Sequence, residues 1–163
     1  MQCADVVIET PKGSAQKYDY DPSSHFFRLK KNLPAGMAFP YDFGFIPATK
    51  AADGDPLDAI VISEFPHFPG CIIRCRIIGA IEAEQSEKNR SKKMIRNDRI
   101  LTIPDCSLIF DKIKSVKDLP KTFLQELETF FIEYNKIKGK KFKIIKEYST
   151  TGAKKLIRRS SNV

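Results

Sequence analysis

The sequence predicts a mainly β fold with a smaller helical part (α+β), built on a small closed or partly closed barrel. Three observations indicate this. Short apolar or alternating runs recur along the first two thirds of the chain, separated by turn signals at 34–36, 53–54 and 69–70. The long β run at 71–82 is interrupted by Gly79, which is typical of a bulge or a barrel corner. A strong helical pattern comes only late in the chain.

The strands are predicted from β-branched and aromatic runs bounded by turn residues. The turn Asp21-Pro22-Ser23-Ser24 lies between 17–21 and 25–30, so these two strands are expected to form a hairpin. The predicted strands are 6–8, 17–21, 25–30, 57–63, 71–82, 99–103 and 141–146.

The late helix follows from an apolar stripe with a period near 3.6 residues. The stripe consists of Phe123, Leu124, Leu127, Phe130, Phe131 and Tyr134. A shorter terminal helix is expected at 152–159, and 84–97 reads as an exposed, charged loop. With no internal repeat and no linker, residues 1–163 are expected to form a single domain.

Composition narrows the class of protein. The chain is 42% hydrophobic and 29% charged, as in ordinary globular proteins, and it has no apolar run long enough to span a membrane. The first residues carry no secretory signal pattern and the four cysteines form no CxxC pair, so a cytoplasmic protein with reduced thiols is expected. The net charge is −1 over 1–81 and +9 over 82–163. Such asymmetry suits an anionic partner, or simply a lysine-rich surface.

The sharpest motif is Asp53-Gly54-Asp55-Pro56-Leu57-Asp58. Gly54 and Pro56 bend the segment, which brings three carboxylates close together. Like charges at this spacing repel unless a cation neutralises them, and hard cations such as Mg²⁺ take oxygen ligands. The alternative is a solvated acidic turn. An EF-hand is rejected, because Leu57 and Asp58 stand where that loop needs Asp or Asn and then Gly.

The chain resembles the soluble family I inorganic pyrophosphatases. The acidic motif satisfies their D-x-D-P-x-D signature, and the similarity spans roughly residues 5–145 in the same order. The other similar segments are 6–11 with Glu9, 17–19, 37–46, 69–79 and 130–136. The resemblance implies an OB-like five-stranded barrel with one long and one short flanking helix. It further implies a hydrolase that splits pyrophosphate into two phosphates with Mg²⁺ and a metal-activated water, and a homo-oligomer, usually a hexamer in bacterial members.

The same resemblance implies roles for individual residues. Asp53, Asp55 and Asp58 would be catalytic residues that hold the metals, with Asp55 best placed to orient or deprotonate the water. Glu9 and Asp19 would be further metal-linked acids. Phosphate oxygens would be bound by Lys17, Lys31, Arg99, Tyr134 and, less directly, Lys136. These residue types suit the reaction, because carboxylates hold metals while Lys and Arg stabilise phosphoryl charge.

Several positions depart from the family pattern, and activity could be impaired as a result. Phe39 and Phe43 replace usual tyrosines, and Phe43 lacks a hydroxyl that would help position the water. Gln85 falls where an acidic residue is usual. Asn97 stands where a ligand aspartate is usual, although a register one residue different would make Asp98 the metal ligand.

Three hypotheses therefore remain at this point. The first is a working but divergent pyrophosphatase, and the second is a degenerate relative that binds a phosphorylated ligand with weak or no turnover. The third is an OB-type nucleic-acid-binding module, with the segment 25–28 as a stacking platform. The acidic cluster argues against a nucleic-acid partner, because it would repel a phosphate backbone.

Overall fold

The computed structural model describes residues 3–86 and 93–161. In chain order the strands are β1 (Cys3–Thr10), β2 (Gln16–Asp21), β3 (Phe26–Asn32), β4 (Asp42–Ile46), β5 (Leu57–Val61), β6 (Ile72–Ser86), β7 (Met94–Arg96), β8 (Arg99–Pro104) and β9 (Phe142–Tyr148). A short 3-10 helix, Val116–Asp118, precedes helix α1 (Lys121–Ile137), and helix α2 (Thr150–Ser161) follows β9.

Five strands close into a barrel. The pairs β1–β4, β4–β5, β8–β6 and β6–β1 are antiparallel, whereas β5–β8 is parallel. This ring matches the expected five-stranded barrel and leaves none of the five strands as an open edge within it. The far half of β6 extends beyond the ring and pairs with β7 and β9. The predicted hairpin forms from β2 and β3 as a separate two-stranded sheet.

The corner predicted at Gly79 is confirmed. The β6–β8 register shifts between Ile77 and Gly79, which is the signature of a bulge. A Cβ at Gly79 would lie 2.2 Å from Val116 Cγ2 and 2.7 Å from the Tyr148 carbonyl oxygen. Glycine is therefore required here because two other segments approach the strand closely.

Alternating residues of the barrel strands form two cores. The first contains Val6, Ile8, Val61, Cys75 and Ile100, and Ala153 and Ile157 of α2 pack against it. The second contains Ile60, Ile62, Ile78, Leu101 and Ile103, and it is covered by the α1 residues Phe123, Leu127 and Phe131. Each helix thus buries one apolar face of the barrel, as the 3.6-residue stripe of α1 predicts.

Two sequence expectations need correction. The segment 84–97 is not simply a loop, because β6 continues to Ser86 and pairs with β7 in a short antiparallel ladder; residues 87–92 lie outside the described residues. The terminal helix is longer than expected, since α2 spans Thr150–Ser161. Among the described residues, no helix has the length and apolar character needed to cross a membrane.

Candidate active site

A cavity of about 240 Å³ lies where the end of β1, strand β2 and the loop before β5 meet. Four carboxylates line it, and we call it the carboxylate cavity. Its charged lining residues are Glu9, Lys17, Asp19, Asp55 and Asp58. The structure thus brings together acids that are far apart in the sequence.

The acidic loop has the bent form that its sequence predicts. Gly54 adopts a positive φ of 94°, a conformation that residues with a Cβ rarely adopt. The Asp53 carboxylate accepts a hydrogen bond from the Asp55 backbone N–H at 3.2 Å, which closes a local turn. Asp53 and Asp55 are exposed, whereas Asp58 lies on β5 and is partly buried. Asp53 is not among the lining residues of the cavity.

The acids of the cavity disfavour each other's ionisation. Burial raises the pKa of the Glu9 carboxyl to about 7; Asp19 and Asp58 add to this, whereas the Tyr20 backbone N–H and Lys17 oppose it. Desolvation also raises the pKa of Asp58, with smaller contributions from Asp53 and Asp55, against the opposing charges of Arg99 and Lys17. Mutual repulsion among oxygen donors is relieved by a bound cation, so this donor set fits a hard divalent metal in its chemistry.

The carboxylates are not gathered into a preformed ligand set. Across residues 3–86 and 93–161, no group of three His, Cys, Asp or Glu side chains is close enough to hold a metal ion. Asp19 instead forms an ion pair with Lys17, and its other oxygen lies 3.7 Å from Lys30 Nζ. Metal binding would therefore draw these side chains together.

A basic and aromatic region adjoins the carboxylate cavity. Lys31 lies directly opposite Lys17 in the β2–β3 hairpin, and Lys31 Nζ is 3.9 Å from the centroid of the Tyr134 ring. Lys31 Nζ and Tyr134 Oη are both shielded from solvent, and neither has a hydrogen-bond partner among the described residues. Two buried donors without an acceptor are costly unless a ligand supplies one.

Arg99 connects the two regions. Its side chain is buried, with Cζ 4.1 Å from the centroid of the Phe131 ring and Nη2 4.0 Å from Asp58 Oδ2. Nη1 donates to the Asn97 carbonyl oxygen at 2.9 Å. Desolvation lowers the pKa of the Arg99 guanidinium, and Asp58 partly compensates for this. The guanidinium is therefore held in place and poorly hydrated, which strengthens its interaction with an anion.

Aromatic rings form the wall beside Tyr134. Phe39 lies 5.0 Å from Phe43 and 5.7 Å from Tyr134, measured between ring centroids, and Phe130 lies 5.6 Å from Tyr134. The phenylalanines at 39 and 43, where the resemblance leads us to expect tyrosines, thus belong to one packed cluster. Their rings bring no hydroxyl groups to this wall.

Asp98 and Lys136 are not brought to the site. The Asp98 carboxylate pairs with Arg96 at 2.7 Å and borders a different cavity, beside Leu156 and Arg159 of α2. Asp98 precedes β8, which begins at Arg99, and its side chain lies beside Arg96, whereas that of Arg99 lies beside Asp58. The Lys136 side chain is 74% exposed and lies 3.7 Å from Glu133. Neither residue is among those that line the carboxylate cavity.

Lys138 lies near the site although the sequence analysis does not identify it. Its Nζ lies 4.5 Å from the centroid of the Tyr134 ring. The signal available in the sequence was its spacing of four residues from Tyr134, which places two residues on one helix face. Asn135 takes no part in the site, since it is buried and its amide donates to the Phe131 carbonyl oxygen at 2.9 Å.

Known proteins share both the sequence pattern and the fold. The family model described as inorganic pyrophosphatase matches residues 6–163. An inorganic pyrophosphatase of Thermus thermophilus is 39% identical over 141 residues, which are 86% of this chain and 77% of that protein. One from Geobacillus stearothermophilus is 36% identical over 150 residues, 92% of this chain and 87% of the relative. A crystal structure of the Thermus thermophilus protein superposes with a TM-score of 0.89 at 32% identity, covering 99% of this chain and 90% of that one.

Proposed function

Because the chain belongs to the inorganic pyrophosphatase family, we propose that it is an inorganic diphosphatase that hydrolyses pyrophosphate to two phosphates with Mg²⁺ as cofactor. One observation supports this best: a cavity lined by four carboxylates adjoins a region where Lys31 Nζ and Tyr134 Oη are buried without a hydrogen-bond partner in the part of the chain that the structure describes. A substrate bound across the boundary would meet metal ligands on one side and cations on the other. Hydrolysis of a phosphoanhydride needs both.

The metal ligands in this proposal are Asp53, Asp55 and Asp58, with Glu9 and Asp19 as further acids. Asp98 is left out, because its Oδ2 pairs with Arg96 and its side chain borders a different cavity. A divalent metal bound here would lower the pKa of the attacking water and neutralise phosphate charge. Asp55 is exposed at the rim of the cavity, so its carboxylate is free to orient that water and to accept its proton.

The substrate-binding residues are Lys17, Lys31, Arg99 and Tyr134. Lys31 Nζ and Tyr134 Oη lack protein acceptors among the described residues, so a phosphate oxygen would satisfy both. Arg99 lies beside Asp58 and would place positive charge at the boundary between the metal-binding side and the phosphate-binding side. Charge-assisted hydrogen bonds from poorly hydrated cations are the strong ones, and they stabilise charge that develops on the leaving phosphate.

The second candidate function is a degenerate relative that binds a phosphorylated ligand and turns it over weakly. The observation that favours it is the absence of a preassembled metal-binding group among the described residues, together with Asn97 and Phe43 at positions where the family resemblance implies other residues. In that case the basic region would bind phosphate while hydrolysis failed.

We also propose that the chain forms a single domain spanning 1–163, lies in the cytoplasm and assembles into a hexamer. These three points rest on the sequence analysis.

Phosphate release from pyrophosphate, measured with and without Mg²⁺, tests the proposed function. The parent should release phosphate only with Mg²⁺, and Asp55→Asn should be slower by on the order of 100-fold, because the variant loses a carboxylate that serves the water. Asp111→Asn is the matched control, since Asp111 is 71% exposed in a surface ion pair with Lys114. Negligible release by the parent, equal to that of Asp55→Asn, would reject the enzyme and favour the binding protein.

A further inference from the structure

We propose that Lys138 is a substrate-binding residue of this site, and that its ammonium group, with Lys31 and Tyr134, holds the phosphate group that lies farther from the carboxylates. This rests on the proposed function for the identity of the substrate. The binding of a phosphate anion follows from the geometry and can be tested without turnover.

The end of α1 places Lys138. The residue caps the helix, with its N–H donating to the Asn135 and Lys136 carbonyl oxygens, and Gly139 then turns the chain with a φ of 67°. The side chain can therefore cross the last helical turn toward Tyr134, where its Nζ lies 4.5 Å from the ring centroid. Lys31 Nζ lies 3.9 Å from the same ring, although it comes from the β2–β3 hairpin. Two distant segments thus bring ammonium groups to one tyrosine.

Positive charge exceeds negative charge among the residues around Tyr134. Desolvation, together with the charges of Lys31, Lys17 and Lys140, lowers the pKa of Lys138 to about 8, and Asp19 opposes this shift. Among residues 3–86 and 93–161, Lys138 has no carboxylate within ion-pair distance. Bringing like charges together in a poorly hydrated place costs stability, and a bound anion offsets that cost.

Two buried donor groups in this region have no acceptor among the described residues. Lys31 Nζ and Tyr134 Oη are buried without hydrogen-bond partners in the described part of the chain, and the Tyr134 residue is only 6% exposed. An ammonium group brings three N–H donors and the tyrosine brings one O–H donor. A tetrahedral phosphate has several acceptor oxygens and negative charge, so it can satisfy these donors and the net charge together.

Lys136 and Asn135, which precede Lys138 in the chain, are not placed for this role. Lys136 pairs with Glu133 and its side chain is 74% exposed, so it faces away from Tyr134. Asn135 is 2% exposed, and its amide is bonded within α1 to the Phe131 carbonyl oxygen. Lys138 is therefore the α1 terminal residue whose charge reaches the site.

The experiment compares Lys138→Gln and Lys138→Arg with Lys136→Gln as the matched control. Binding of inorganic phosphate to each protein without Mg²⁺ is measured by calorimetry, and kcat and KM for pyrophosphate are measured with Mg²⁺. We expect Lys138→Gln to weaken phosphate binding and raise KM by about tenfold, the order expected for one charge-assisted contact. Lys138→Arg should keep most of the phosphate affinity and a KM near that of the parent. Lys136→Gln should change neither the phosphate affinity nor KM by more than about twofold.

Thermal unfolding separates binding from a structural role. Without ligand, Lys138→Gln should be as stable as the parent or more stable, because the substitution removes a charge from among other lysines. A large loss of stability, or phosphate binding and KM equal to those of Lys136→Gln, would overturn the proposal. If the parent binds phosphate and Lys138→Gln does not, but no variant releases phosphate from pyrophosphate, the proposed function fails while the role of Lys138 stands. If the parent does not bind phosphate at all, the proposal for Lys138 is overturned as well.

Discussion

Lys17 and Lys31 are directly paired across the β2–β3 hairpin, so two like charges face each other beside the carboxylate cavity. Lys17 is neutralised by its ion pair with Asp19, whereas Lys31 Nζ is buried with no partner among the described residues. Like charges in directly opposite positions destabilise a strand pair. This pair of like charges therefore lowers the stability of the hairpin, and a bound anion would remove that loss.

Phosphate should stabilise the protein through Lys31. We expect inorganic phosphate to raise the melting temperature of the parent and to raise that of Lys31→Gln much less, since binding to the folded state adds stability in proportion to affinity. Without phosphate the variant should melt no lower than the parent, because the like-charge pair is gone. Lys114→Gln, at an exposed lysine paired with Asp111, is the control. If phosphate raised the melting temperatures of Lys31→Gln and Lys114→Gln by the same amount, this role of Lys31 would be contradicted.

Asp58 and Asp98 should respond differently to the same substitution. Asp58→Asn is expected to reduce Mg²⁺-dependent phosphate release on the order of 100-fold, because it removes a proposed metal ligand and the counter-charge of Arg99. Asp98→Asn should lower the free energy of unfolding by about 1–3 kcal/mol, since it weakens a charged hydrogen bond to Arg96, and leave release within about threefold. Denaturant unfolding and Mg²⁺ titrations of both variants check this. A Mg²⁺ requirement that rises sharply in Asp98→Asn would restore Asp98 as a ligand.

The pH dependence of kcat/KM for pyrophosphate should reveal the loss of charge on Lys138. Its pKa of about 8 means that raising the pH through this value removes its charge, so kcat/KM for pyrophosphate should fall on this alkaline limb. The groups facing it are Lys31, Lys17, Lys140 and Asp19. Arginine stays charged, so Lys138→Arg should lack this limb. Titration of the substrate itself would affect both proteins equally, so the variant serves as the control for it. The folded pKa lies below 10.5, so the ligand-free protein should gain stability between about pH 8 and 10.5, where the unfolded chain binds more protons.

Phe43→Tyr tests whether the missing hydroxyl limits turnover. Phe43 is partly buried on β4, with its ring centroid 5.0 Å from Phe39 and 5.4 Å from Phe131, so a tyrosine keeps the same ring contacts. We expect a higher kcat with little change in KM, since a hydroxyl that positions the water acts in the transition state. Phe39→Tyr serves for comparison, because Phe39 is buried beside Tyr134. A kcat that falls or stays the same in Phe43→Tyr would mean that the hydroxyl is not what limits the rate.

Gly79→Ala should lower the free energy of unfolding by about 1–3 kcal/mol, the usual cost of overpacking. The new methyl group would collide with Val116 and with the Tyr148 backbone carbonyl oxygen. Adding Val116→Ala should recover only part of the loss, because the backbone contact remains. Chemical denaturation of the single and double variants measures this. Full recovery in the double variant would show that the carbonyl can move away at no cost.

Much of the fold could be read from local patterns. The β2–β3 hairpin follows from two runs around Asp21-Pro22-Ser23-Ser24, and the buried stripe of α1 follows from residues such as Phe123 and Leu127. The bend at Gly54 was predictable for the same reason, since one residue without a Cβ sets the turn. These features depend on neighbours in the chain, so the amino-acid sequence by itself determines them.

Other features depend on contacts between distant segments, and only the tertiary structure decided them. Closure of the barrel requires β1 to pair with β6, which no local pattern specifies. The tertiary structure also decides that Arg99, the first residue of β8, lies beside Asp58, whereas Asp98, which precedes that strand, pairs with Arg96. Likewise, a spacing of four residues brings Lys138 near Tyr134, but only the tertiary structure places Lys31 of the β2–β3 hairpin against the same ring.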